Sequence, residues 1–79
     1  MQVPRTTGEL FAFGSAVTDD DLETGDLVFF TTSGSKVSHV GLYLGDQEFI
    51  HSSTSNGVMI SRLTDTYWNA RFIGARRLY

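Results

Sequence analysis

Two side chains in this sequence are suited to proton transfer near neutral pH: His39, in the stretch HVGLYLG, and His51, in FIHSST. Imidazole is the only side chain whose ordinary pKa lies between pH 5 and 8, so two of them side by side admit three readings. Each ring can be a partly buried strand residue with one hydrogen bond. Together they can begin a metal site. Or one can be a general base while the other fixes its tautomer and angle. Zinc needs three or four ligands, and no third histidine, no cysteine and no well-placed carboxylate joins the pair; neither metal nor cofactor is expected. The base-and-orienter reading needs a nucleophile. The 79 residues contain no cysteine, which also excludes disulfides and thiolate metal sites. Ser38, Ser52 and Ser53 adjoin the histidines, but successive strand residues point to opposite faces, so none is expected to act as nucleophile.

Whether the two rings share a face depends on strand register. A two-residue turn at Asp46-Gln47 sets Leu42 opposite His51 and puts His39 on the other face. A three-residue loop, Gly45 to Gln47, sets Gly41 opposite His51, with His39 diagonal to it on the same face at about 7–8 Å. The second register also pairs Leu42 with Ile50 and Tyr43 with Phe49, apolar with apolar, and is preferred. Gly41 would then leave an open patch of sheet beside both rings.

The elements that carry the histidines read as β. Gly25-Asp26 is a turn, and Leu27 to Thr32 is a continuous apolar run, as in a buried strand. Ser33 to Lys36 is a loop, His39 to Leu44 a second strand, and Glu48 to Ser52 a third. A turn at Asn56-Gly57 leads into Val58 to Ser61. Thr64 to Arg71 suits one or two helical turns capped by Thr64 or Asp65, and Ile73 to Leu78 closes the sheet as a last strand. Pro4 to Phe13 is a candidate short helix stopped by Gly14. Thr18 to Asp21 is a polar turn; read as a calcium loop from Asp19, it puts Thr24 and Phe30 where an EF-hand needs Gly and Glu. The fold class is therefore α+β: a small antiparallel sheet of four to five strands with one or two short helices, in one domain spanning 1–79.

Composition narrows the partners. With 41% hydrophobic and 19% charged residues the chain is globular. A net charge of −3 and no basic run argue against nucleic acid. Arg76-Arg77 reads as a surface pair, and Tyr67-Trp68 as core packing of a short helix rather than a carbohydrate platform. No stretch reaches the roughly 18 apolar residues of a membrane span, and the first ten residues do not resemble a signal peptide.

GDLVFF (Gly25–Phe30), HVGLYLG (His39–Gly45), FIHSST (Phe49–Thr54), GVMIS (Gly57–Ser61), YWNAR (Tyr67–Arg71) and GARRL (Gly74–Leu78) resemble, in order and spacing, the second half of NlpC-type domains; VPRTT (Val3–Thr7) resembles the stretch that links that family's first half to its sheet. The resemblance implies an incomplete papain-like core, the sheet half of a cysteine peptidase that hydrolyses peptide bonds in bacterial cell-wall stem peptides. It implies that His39 corresponds to the general base and His51 to the residue that orients it, with no metal required, and it implies an envelope or secreted location. The family's thiol, in an Asp-Cys-Ser-Gly stretch on a helix, belongs upstream of the segment matching VPRTT. Three accounts follow: part of a longer peptidoglycan endopeptidase; one half of a split enzyme completed by another chain or by self-association; or a non-catalytic module binding wall peptides. In each, the chain alone is expected to hydrolyse nothing measurable.

Overall fold

The computed structural model describes residue 11 and residues 14–32, 37–53 and 57–78. These form six strands, β1 (Ser15–Val17), β2 (Leu27–Phe30), β3 (His39–Gly45), β4 (Glu48–Ser53), β5 (Gly57–Arg62) and β6 (Phe72–Arg77), with one helix, α1 (Thr66–Arg71), and a 3-10 turn at Asp19–Asp21. They make a single antiparallel sheet in the order β1-β6-β2-β3-β4-β5. The α+β class holds, with six strands in place of four or five. The extra one is β1, three residues too short to show any alternation. The last strand does not close the sheet at an edge: β6 lies inside it, between β1 and β2.

The helix expected over Pro4 to Phe13 falls outside the described residues except for Phe11, which is helical. The loop at Ser33 to Lys36 and Asn56 of the Asn56-Gly57 turn also lie outside them; Gly57 has φ +69°. The strand expected to run to Thr32 stops at Phe30. Beyond it the backbone turns to other partners: Thr31 N donates to Arg71 O at 2.9 Å, and Thr32 N to Ser38 Oγ at 2.8 Å.

The β3–β4 connection settles the register by combining both expected geometries. Asp46 and Gln47 have φ +51° and +67°, the signature of a type I′ two-residue turn whose twist suits a hairpin. The pair at its base is Gly45 with Glu48, but the register then shifts by one, so that Tyr43 faces Phe49 and Leu42 faces Ile50. The bulge leaves Leu44 as the extra residue and is followed by Gly45, whose φ of +105° is in the left-handed region that disfavours other residues. Tyr43 Oη accepts from Gln47 N at 2.9 Å, and Gln47 O accepts from Leu63 N at 2.7 Å, tying the turn to the core.

The core lies on one face of the sheet: Val28, Phe30, Tyr43, Phe49, Leu63 and Ala75, with Val17, Leu22, Trp68 and Phe72 against them. Phe30 is its centre, with ring centroids 4.9 Å from Phe49, 4.9 Å from Trp68 and 5.8 Å from Phe72. Truncating such a buried ring costs about 3–5 kcal/mol. Six residues are too few for a helix to persist alone, so α1 is held by Trp68 and by its direct run into β6, where Phe72 is its C-cap. Its N-cap is Asp65, without a side-chain capping bond.

The Arg76-Arg77 pair is not a surface pair. Arg77 forks onto the fully buried Asp26, Nε to Oδ1 at 2.8 Å and Nη2 to Oδ2 at 2.7 Å. Arg76 lies over the Phe11 ring at 4.2 Å. A carboxylate taken out of water needs a paired cation, and the turn before β2 supplies the acid that β6 neutralises.

Candidate functional site

His39 opens β3, opposite Phe30, and His51 lies in β4, opposite Met59. The shifted register turns both rings to the core face, where His39 Nε2 and His51 Nδ1 are 2.8 Å apart and the ring planes stand at 84°. The patch beside them is not open. Gly41 is buried, and a Cβ there would meet Phe49 Cδ2 at 2.6 Å; the missing side chain lets the Phe49 ring close up under the histidines, 4.7 Å from His51.

Two further residues complete the arrangement. His51 Nε2 lies 2.9 Å from Ser61 Oγ, which β5 presents from opposite Phe49; His51 and Ser61 are only 6% and 8% exposed. Trp68 of α1 covers the pair, stacked on His39 at 5.2 Å and 24° and edge-on to His51 at 4.9 Å. Trp68 thus packs on the core as expected and also roofs the site. Its neighbour Tyr67 is exposed, under the Arg71 guanidinium at 3.9 Å. Sequence reasoning named both histidines and passed over Ser61. The signal was the alternation in GVMISR, which puts Met59 and Ser61 on one face, but only a known β4–β5 register connects that face to His51.

Burial lowers the pKa of His39 below its ordinary value, and burial together with the nearby His39 lowers that of His51. Desolvation penalises an imidazolium, and two of them in contact repel, so both rings are neutral at pH 7. A neutral imidazole donates from one nitrogen and accepts at the other. The chain His39–His51–Ser61 therefore has two consistent proton arrangements. In one, His39 donates to His51 and His51 to Ser61, leaving His39 Nδ1 with a lone pair. In the other, every donor and acceptor is reversed and His39 Nδ1 carries a proton. Among the described residues no three of His, Asp or Glu gather as a metal-binding group. The two histidine nitrogens face each other at hydrogen-bond distance, which is the geometry of proton exchange rather than of a shared ion.

The sheet and its contents define an α+β protein that carries a hydrogen-bonded imidazole pair under an aromatic cover. The chain belongs to the NlpC/P60 family, whose model matches residues 1–77. It is 45% identical over 78 residues to the "Murein DD-endopeptidase MepS/Murein LD-carboxypeptidase" of Escherichia coli K12, covering 99% of this chain and 41% of that protein. It is 47% identical over 79 residues to the "Probable endopeptidase NlpC" of the same strain, covering 51% of it. Among solved structures, an NlpC/P60 family protein from Bacillus cereus superposes with a TM-score of 0.87 at 36% identity, over 95% of this chain and 26% of that one. The chain thus spans about half or less of the length of these relatives.

Proposed function

We propose that residues 1–79 are the sheet half of a papain-like cysteine peptidase domain that hydrolyses peptide bonds in the stem peptides of bacterial peptidoglycan. The observation that carries this reading is the 2.8 Å contact between His39 Nε2 and His51 Nδ1, which engages one nitrogen of His39 with an orienting partner and supports a role for the other, Nδ1, towards a nucleophile. With no cysteine in the sequence, the thiol comes from a segment outside these residues, on the same polypeptide or on another. Murein in one relative's name and endopeptidase in two support the substrate class and a location in the cell envelope.

The chemistry runs as follows. A cysteine thiol loses its proton to His39 Nδ1, and the thiolate is stabilised by the resulting imidazolium. The thiolate attacks the scissile carbonyl, and His39 returns the proton to the departing amine. Water then attacks the thioester, giving its proton to His39, and the thiol is regenerated as the acid product leaves. His51 Nδ1 accepts the hydrogen bond from His39 Nε2–H throughout, holding the ring at one angle. The proximity of a thiolate would raise the His39 pKa, offsetting the effect of burial. Neither metal nor cofactor enters any step.

The test is to fuse the chain behind a cysteine-bearing helical segment of an NlpC-type relative and follow muropeptide cleavage by liquid chromatography and mass spectrometry. Cleavage is expected from the fusion and none from the chain alone. His39→Ala should lower the rate about 10²–10⁴-fold, the usual contribution of a general base. Undiminished cleavage by the His39→Ala fusion would overturn the reading.

A further inference from the structure

We propose that Ser61 is a positioning residue whose hydroxyl oxygen accepts a hydrogen bond from His51 Nε2–H and thereby supports the tautomer in which His39 Nδ1 is an unprotonated base. The inference rests on the peptidase reading for its purpose, but its physical content is a statement about proton positions in this chain.

A hydrogen-bond chain runs from His39 Nε2 to His51 Nδ1 and from His51 Nε2 to Ser61 Oγ, with links of 2.8 and 2.9 Å. When His39 is an imidazolium both its nitrogens carry protons. Its Nε2–H then needs an acceptor, which only the Nε2–H tautomer of a neutral His51 provides. In that tautomer the His51 Nε2–H is buried with its ring and requires an acceptor in turn. Ser61 Oγ is in place for this, on a residue only 8% exposed. If the neutral resting pair adopts the same arrangement, protonation of His39 at Nδ1 requires no other proton to move.

Removing the hydroxyl disfavours this arrangement. With Ala at position 61 the Nε2–H of His51 loses its acceptor. An unpaired buried donor and an unpaired buried acceptor both cost, but orphaned buried N–H groups are the less tolerated of the two. His51 would then donate from Nδ1 to His39 Nε2, and the neutral His39 would carry its proton on Nδ1, facing the nucleophile. The base would be blocked with both histidines intact. Trp68 sharpens the effect, because the ring stacked on His39 and edge-on to His51 keeps the pair in a low-dielectric setting.

Long-range ¹H–¹⁵N correlation spectra of the histidine rings in the 79-residue chain, recorded at pH 7.5, test this directly. His51 is expected as a single Nε2–H tautomer with a bare Nδ1, and His39 with a bare Nδ1. Ser61→Ala should shift the His51 tautomer ratio about tenfold or more towards Nδ1–H, and Ser61→Thr, which keeps a hydroxyl, should restore it. The wild-type measurement decides even if a variant fails to fold: a His51 protonated on Nδ1 overturns the proposal, as does a folded Ser61→Ala with the wild-type tautomer. Either result would leave the fusion's cleavage assay untouched, so failure of this inference and failure of the peptidase reading are separable.

Discussion

A histidine that resists protonation in the folded chain and accepts it freely in the unfolded one makes stability fall with acid. The pKa values of both His39 and His51 are lowered from the ordinary 6.5, so below about pH 6.5 the unfolded state binds more protons than the folded state. Their contribution is fully present above 6.5 and is lost as pH falls through that value towards the lower, folded one. Urea midpoints are therefore expected to drop between pH 7.5 and 5.5, and a His39→Gln variant should show a shallower drop. A midpoint that rises on acidification would contradict the burial of the pair. At this scale the sequence displayed both rings and their shared face but not Ser61. Ser61 belongs to a strand whose register no local signal fixes. The role of Gly41 was misjudged because an absent side chain can mean open surface or, as here, room for the ring of Phe49.

Elements were legible in proportion to their length and periodicity. Strands β2 to β5 and α1 follow from apolar runs and turn residues, and only their ends moved. The β3–β4 register could be chosen from apolar pairing, yet the device that sets it, a bulge at Leu44 beneath a tight turn, was not visible as such. The interior position of β6 and the pairing of Arg77 with Asp26 are non-local, joining residues 51 apart in sequence. That pairing separates two adjacent arginines. Arg77→Ala would leave the fully buried Asp26 carboxylate without its forked partner, at a cost of about 3–5 kcal/mol, comparable to the entire stability of a domain this small. Arg76→Ala removes a cation over the Phe11 ring, worth about 0.5–1 kcal/mol in a partly exposed setting. Urea denaturation of the two variants checks this, and equal losses would show that the ion pair does not hold β6 to the turn before β2.

The two faces of the whole sheet are unequally covered. Trp68 and Phe72 pack over the core face, but the other carries the cross-strand row Leu27, Leu42, Ile50 and Ile60, and cross-strand partners share a face. Val58 and Ile60 on this side are 70% and 55% exposed, and Leu42 and Leu44 are exposed as well. Among the described residues, the Phe11 ring lies on this face, edge-on to Phe29 at 5.2 Å and close above Gly74. A contiguous apolar surface of this kind is what a domain covers with a further element or with a second copy. The isolated 79-residue chain is therefore expected to self-associate at tens of micromolar and to bind a dye that reports apolar surface. Replacing Val58 and Ile60 together by Lys should give a monomer with unchanged circular dichroism, because neither side chain belongs to the core cluster. Sedimentation velocity distinguishes the outcomes. A wild-type chain that sediments as a dye-silent monomer would mean that this face is content in water and does not drive association.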